Sequence, residues 1–370
     1  MQGLGTAAIL CLAVAYVLRF VLEPGAAAPV IDIGPLFQDG VSSSSRKAVG
    51  EKLLQAAAVH GLVRVVGHGV NGKAVLDAGH RYFQLPEASR PSSRNVTTGF
   101  QRGFIPLAGE SGLAEVLEVK EGFSYGHAWP GEELPPGHNA LEGLNAWPPQ
   151  ADLPGWREDM ESYYEDSVRV AKSVVASISL AIGEEAAHGS ATALEQLCAG
   201  GETISQMRLF NYFPASHAPP ELAPGKPRMG SSPHTDWHLV TVILRDVHSR
   251  LQYKPAGVNQ SWSDVSGDRD GQELLLVFGD YLAAYAGGKL HSPVHRVLLP
   301  EDNTSLSFVL FFYPRYEARM PVQDVGRGVS QTSGERYNTL LDQVDQSALD
   351  RPFGEYLQAK WRKVLGNGAA

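Results

Sequence analysis

Histidine and carboxylate side chains two residues apart on a strand share one face, so His234 and Asp236 in Pro233-His234-Thr235-Asp236-Trp237 can aim one imidazole and one carboxylate at a common point. Two ligands hold a divalent ion poorly. The third donor expected is His295, 59 residues after Asp236, where Ser292-Pro293-Val294-His295-Arg296-Val297 opens another β-type run. Two histidines and one carboxylate with the remaining positions open form the ligand set of non-haem Fe(II) oxygenases. The same residues also suit a zinc hydrolase, or a strand histidine that simply hydrogen-bonds its neighbour. His291, four residues before His295, is an alternative donor. The only cysteines are Cys11 and Cys198, which excludes a disulfide framework and a cysteine-rich zinc site.

The elements that must position these residues follow from the hydropathy pattern. Ser42–Ser45 cap a helix through RKAVGEKLLQAAAVH that Gly61 stops, and Leu62–Val66 is a β-branched strand. A second helix covers Lys73–Phe83. Residues 88–155 are rich in Gly and Pro and read as long loops around short elements. Tyr164, Val168, Ala171, Val175, Ile178 and Ile182 recur at helical spacing before Gly183. After residue 203 come short β-type runs at Ile204–Phe213, Leu239–Leu244, Leu274–Phe278, Val294–Leu299 and Leu306–Tyr313, the texture of a sandwich or jelly roll. Tyr337–Val344 and Phe353–Val364 read as helical. The 370 residues are 43% hydrophobic and 19% charged, which excludes global disorder; the net charge of −9, with no basic run, argues against a nucleic-acid groove.

Several blocks, in order, resemble the Fe(II)- and 2-oxoglutarate-dependent dioxygenases of the isopenicillin N synthase-like group. Pro29–Ile33 looks like the opening P-V-I-D strand, GLVRVVGHGV at 61–70 is similar to G-F-F-x-V-x-N-H-G-V, and Lys120–Phe123 resembles K-E-x-F. Asn211-Tyr212-Phe213-Pro214 resembles N-Y-Y-P. His234-Thr235-Asp236 with LVTVILRD resembles H-T-D-x-x-x-L-T-L-L-x-Q-D, followed by Leu251-Gln252. Gly279-Asp280 and His291–Val297 resemble G-D and K-S-x-x-H-R-V. The resemblance spans about residues 29 to 320 and implies an Fe(II) site at His234, Asp236 and His295. It also implies a double-stranded β-helix core with a helical N-terminal region and C-terminal helices, a mainly β fold with flanking helices (α+β). The implied reaction consumes O2, decarboxylates 2-oxoglutarate to succinate and CO2, and hydroxylates or desaturates a small molecule.

The family's R-x-S, whose arginine pairs with the far carboxylate of 2-oxoglutarate, is here Ser305-Leu306-Ser307, and Phe213 replaces a tyrosine. Ser307 is retained as a cofactor contact. Arg208, Arg245 and Arg315 are the candidate replacement cations, with Arg208 assigned to the cofactor. The alternatives are a 2-oxoglutarate-independent non-haem iron oxidase and a catalytically silent binding protein of the same fold. The expected organisation is a hydrophobic segment and linker at 1–28, a helical region at 29–202, the jelly roll at 203–322 and a helical tail at 323–370. Residues 3–22 are apolar apart from Arg19 and long enough to span a bilayer. The expectation is a monomer tethered there with its catalytic domain in the cytosol, against an untethered cytoplasmic protein or a cleaved targeting peptide.

Overall fold

The structure, a computed structural model, describes residues 27–91, 102–107, 109, 115–184, 191–217, 224–257, 261–268, 270–320 and 351–367. The strands are β1 (Val30–Asp32), β2 (Leu62–Val66), β3 (Gly103–Ile105), β4 (Leu117–Glu118), β5 (Lys120–Gly126), β6 (Gln206–Tyr212), β7 (Arg228–Met229), β8 (Ser231–His234), β9 (Val240–Arg245), β10 (Arg250–Tyr253), β11 (Ser263–Ser266), β12 (Leu274–Phe278), β13 (His295–Val297) and β14 (Ser305–Phe312). The helices are α1 (Ser43–His60), α2 (Gly72–Phe83), α3 (Trp156–Ile182), α4 (Ala193–Cys198), α5 (Asp280–Tyr285) and α6 (Phe353–Asn367).

Eight strands form one sheet in the order β1-β2-β12-β9-β14-β6-β5-β3, and four form a second in the order β11-β10-β13-β8. The interior between them holds Phe210, Tyr212, Ile243, Leu251, Tyr253, Val265, Leu275, Val277, Val297 and Val309. The other face of the large sheet packs its alternate residues, among them Val240, Val242, Leu244, Leu306, Phe308 and Leu310, against the helices. Both faces of these strands are covered, which is why they read as unbroken apolar runs.

Residues 29–202, expected as a helical region, also supply β1, β2, β3 and β5 to the large sheet. β5 pairs with β6 along its whole length, from Lys120 opposite Tyr212 to Gly126 opposite Gln206. The large sheet therefore draws strands from both sides of residue 203. The hydrophobic segment 3–22 and the helix expected at Tyr337–Val344 lie outside the described residues. Among the described residues no helix is long and apolar enough to cross a membrane.

α1 starts on Ser42, whose hydroxyl accepts from the Ser45 amide at 3.1 Å, and ends at Gly61 with φ 68°. It lies on α3 through Gly50, where an added Cβ would sit 1.9 Å from the Ser177 carbonyl oxygen. Alanine gains roughly 1 kcal/mol of helix propensity over glycine, but a backbone overlap of that depth forces the helices apart. Gly50→Ala is expected to destabilise by about 1–3 kcal/mol, read as a lowered urea midpoint. An unchanged or raised midpoint would mean that the α1–α3 contact is not close-packed.

Candidate metal centre and active site

β8 and β13 pair antiparallel with His234 directly opposite His295, and the register shifts between His295 and Val297. The two imidazoles come from neighbouring strands, their ring centroids 4.3 Å apart. Asp236 stands two residues past the end of β8 instead of on the strand, so a loop, not the strand pleat, brings its carboxylate round. That loop is fixed from two sides. The Asp280 amide donates to the Asp236 carbonyl at 2.8 Å, and the Thr235 hydroxyl donates to Asp280 Oδ2 at 2.9 Å. Gly279 permits the approach, since a Cβ there would lie 2.1 Å from the His238 carbonyl oxygen.

One ligand atom from each of His234, Asp236 and His295 lies within 4.8 Å of the others. Asp236 Oδ1 is 3.8 Å from His234 Nε2, and Oδ2 is 3.9 Å from His295 Nε2. These separations exceed hydrogen-bond length, so the three groups converge without bonding one another. A histidine that merely hydrogen-bonds its neighbour would not look like this.

The other ring nitrogens fix the tautomers. His234 Nδ1 donates to the Ser232 carbonyl at 2.7 Å, and His295 Nδ1 donates to the Pro293 carbonyl at 3.1 Å. Each Nε2 is thereby left as a lone pair facing Asp236, the arrangement that carbonyl partners impose on metal-binding histidines. Burial pushes the His295 imidazole down to about 4, so it stays neutral. Burial works to raise Asp236, but His295, His238 and His234 and the Thr241 hydroxyl hold it below its ordinary value. The Thr241 hydroxyl donates to Asp236 Oδ2. The donor set therefore fits one divalent ion in a dry pocket that opens past His234, whose side chain is 32% exposed against 6% for His295.

The candidate cofactor residues lie on the interior face of the large sheet. Ser307 faces inward, and its hydroxyl lies 3.3 Å from that of Tyr212. Arg245 is its direct neighbour on β9. The Arg245 side chain is fully buried; Nη2 donates to the Ser266 carbonyl at 2.6 Å, while Nε and Nη1 have no hydrogen-bond partner among the described residues. Burial lowers its guanidinium to about 10. Arg208 lies two residues along β6 from Phe210, the residue paired with Ser307, and its guanidinium rests 4.9 Å from the Trp361 ring of α6 and 6.0 Å from that of Phe311. It thus sits nearer the metal end than Ser307 does. Arg315 is exposed and donates to the Gln196 carbonyl, outside the interior. Ser305 donates to Asp246 Oδ1 at 2.8 Å. His291 Nε2 donates to the Lys254 carbonyl at 3.1 Å and stands apart from the triad.

Three features escaped the sequence reading. Lys120 and Glu118 form a buried ion pair at 2.6 Å, and Glu118 Oε1 accepts the Ser232 amide at 2.8 Å, tying β8 down two residues before His234. Thr241 borders the triad through its hydroxyl. Arg102 is buried beside Gly126. Arg245 did carry a signal, because it occupies the glutamine position of the L-T-L-L-x-Q-D pattern.

Residues 28–150 match a family model described as the non-haem dioxygenase in morphine synthesis N-terminal region, and residues 204–314 match the 2OG-Fe(II) oxygenase superfamily. The chain is 30% identical over 336 residues to the 2-oxoglutarate-dependent dioxygenase citB of Monascus ruber, covering 89% of this chain and 95% of that protein. It is 24% identical to the isopenicillin N synthase of Hapsidospora chrysogena, covering 92% and 96%. Among solved structures, a full-length Neurospora crassa protein crystallised in complex with alpha-KG superposes with a TM-score of 0.68 at 19% identity, over 92% of this chain and 97% of that one. A putative 2OG-Fe(II) oxygenase family protein from Caulobacter crescentus gives 0.66 at 18%, over 92% and 100%.

His238 and His295 are both lowered by burial to about 4 in the folded chain, against about 6.5 when unfolded. Between those values the unfolded chain binds protons that the native state does not, so stability falls as pH drops below 6.5. The metal-free protein is expected to lose urea stability steadily from pH 6.5 to 5. His238→Phe should flatten that slope by up to about 1.4 kcal/mol per pH unit. Identical slopes would show that His238 is protonated in the folded protein.

Proposed function

The chain belongs to the 2OG-Fe(II) oxygenase superfamily, and on that premise we propose that His234, Asp236 and His295 hold its Fe(II), with Ser307 and Arg245 binding the distal carboxylate of 2-oxoglutarate. The protein is an Fe(II)- and 2-oxoglutarate-dependent dioxygenase, an oxidoreductase that couples decarboxylation of 2-oxoglutarate to oxidation of a small molecule. The observation that carries the residue assignment is the convergence of two Nε2 lone pairs and a carboxylate at separations too long for hydrogen bonds.

When bound, the iron and 2-oxoglutarate together activate O2, releasing succinate and CO2 as the substrate is oxidised. This chain's residues prepare that chemistry. The Ser232 and Pro293 carbonyls hold both imidazoles in the one tautomer that can ligate. Thr241 orients Asp236, whose negative charge offsets half of the metal's. A carboxylate brought into the interior without a cation would be costly to desolvate. Arg245 meets it with Nε and Nη1, two N–H-bearing atoms without a partner among the described residues, beside the Ser307 hydroxyl. This reading moves the cofactor cation from Arg208, the sequence assignment, to Arg245, because the register supports Arg245 as the neighbour of Ser307.

Finer features belong to the same proposal. The chain divides at about residue 203 into an N-terminal region and the jelly roll, with the tail from 323. The triad is complete within a single chain, so a monomer would carry the whole metal site. The apolar run 3–22 with Arg19 on its domain side supports a membrane tether and a cytosolic catalytic region.

Anaerobic Fe(II) titration with 2-oxoglutarate tests the assignment through the metal-to-ligand charge-transfer band. Wild type should develop the band, His295→Ala should lose iron binding, and Arg245→Leu should keep iron but bind 2-oxoglutarate about 10- to 100-fold more weakly, the scale of a charged hydrogen-bonding partner. Full iron affinity in His295→Ala removes the triad. An unchanged 2-oxoglutarate affinity in Arg245→Leu removes Arg245 from the cofactor site.

A further inference from the structure

Arg102, just before β3, is a buried cation that neither the metal centre nor the proposed cofactor site uses. It is 5% exposed, and among the described residues Nε and Nη2 have no hydrogen-bond partner. The bond that Nη1 donates to Asn145 Oδ1 is long, at 3.4 Å. Among the described residues no carboxylate pairs with it. Tyr164, Tyr313, His127 and a second cation, Arg208, are charged or titratable groups that it feels, and burial lowers its guanidinium to about 10.

The surroundings hold it in place. Its guanidinium lies against the backbone of β5 at Gly126, where an added Cβ would be 1.9 Å from Nη1. Asn145 clamps that point, accepting from the Gly126 amide and donating to its carbonyl, both at 2.8 Å. Trp129 Nε1 is another buried donor without a partner among the described residues, on a side chain packed edge-on against His127, itself a neighbour of Arg102.

This cation and the metal site share one face of the large sheet. Gly126 is opposite Gln206 on β6, Gln206 is opposite Phe311 on β14, Phe311 is opposite Thr241 on β9, and Thr241 donates to Asp236. Neighbouring strands are ~4.8 Å apart, so the three steps of this row span roughly 14 Å from Gly126, beside Arg102, to Thr241 at the metal end. Aromatic rings occupy the interval: Phe311 lies 5.4 Å from the His238 ring and 6.0 Å from the Arg208 guanidinium, which Trp361 also covers.

A buried cation with no counter-ion and with two of its three nitrogens lacking acceptors among the described residues is costly unless a ligand supplies them. From this juxtaposition we propose that the substrate is an apolar, aromatic-sized molecule bearing a carboxylate, and that Arg102 binds that carboxylate while the distal end of the molecule reaches the metal. Arg208 adds positive potential along the way, and Trp129 Nε1 supplies a further donor. This inference rests on the oxygenase reading of the metal site and names its substrate class.

The test uses the full chain, anaerobic and saturated with Fe(II) and 2-oxoglutarate, so that the cofactor site is already filled. Benzoate is the anionic probe and benzamide its neutral counterpart. Benzoate should raise the urea midpoint of the wild type, benzamide should not, and Arg102→Met should abolish the benzoate shift, with affinity about tenfold or more weaker. Without any probe, Arg102→Met should be at least as stable as the wild type, since it removes a buried unpaired charge; Arg102→Lys should keep part of the benzoate shift. Arg102→Met less stable than wild type would mark Arg102 as structural and overturn the proposal, as would equal benzoate shifts in both or none in the wild type. The charge-transfer band separates the two levels: present in wild type and variant, it leaves the oxygenase reading standing whatever benzoate does; absent from wild type, it is that reading that fails.

Discussion

Asp236 is a carboxylate kept out of water between two imidazoles that it does not touch. Left alone, such a group would turn to hydrogen-bond one of them or take up a proton. Much of the surrounding structure prevents that. The β8–β13 register sets His234 opposite His295, backbone carbonyls occupy the far side of each ring, and Thr241 reaches across from the large sheet to hold one carboxylate oxygen. Glu118 pins Ser232, so the buried Lys120 pair acts on the metal centre at one remove, through the strand that carries His234. The two sheets are in this sense a frame for keeping three donors close and unbonded.

Much of this was legible in the sequence because it depends on local pattern. Helix α1 is announced by its serine cap and Gly61, α3 by its apolar spacing and Gly183, and β12 is the apolar run Leu274–Phe278 as written. The three donors stood out by type and spacing. Asp236 lies two residues past β8, so a loop positions its carboxylate where the spacing from His234 predicts a strand. What could not be read was pairing across long separations. Nothing local in Lys120–Gly126 says that it lies beside Gln206–Tyr212, and the N-terminal region's share of the large sheet followed from that. The choice among Arg208, Arg245 and Arg315 likewise turned on which strand neighbours Ser307.

The interior of the sheet shows how charge is rationed in a space without water. Lys120 is neutralised by Glu118 and anchors a strand. Arg245 and Arg102, by contrast, are held by backbone or amide oxygens, with guanidinium atoms left unpartnered among the described residues. Guanidinium tolerates this better than ammonium, being more weakly hydrated and keeping its charge when buried. The two arginines lie toward opposite ends of the face that Thr241 and Ser307 share.

The packing of α6 has a consequence for biosynthesis. Trp361 stacks on Arg208 and meets Trp237 edge-on, and Phe353 packs against Tyr281 and Tyr313, so this helix forms part of the wall beside the metal centre. It follows β14 by about 40 residues in the chain. Every described strand therefore leaves the ribosome before the helix that closes over them. The nascent protein passes through an interval in which its sheets can pair while Trp237 and Arg208 still face water. The docking of α6 then takes Arg208 and Trp237 out of water and completes that wall.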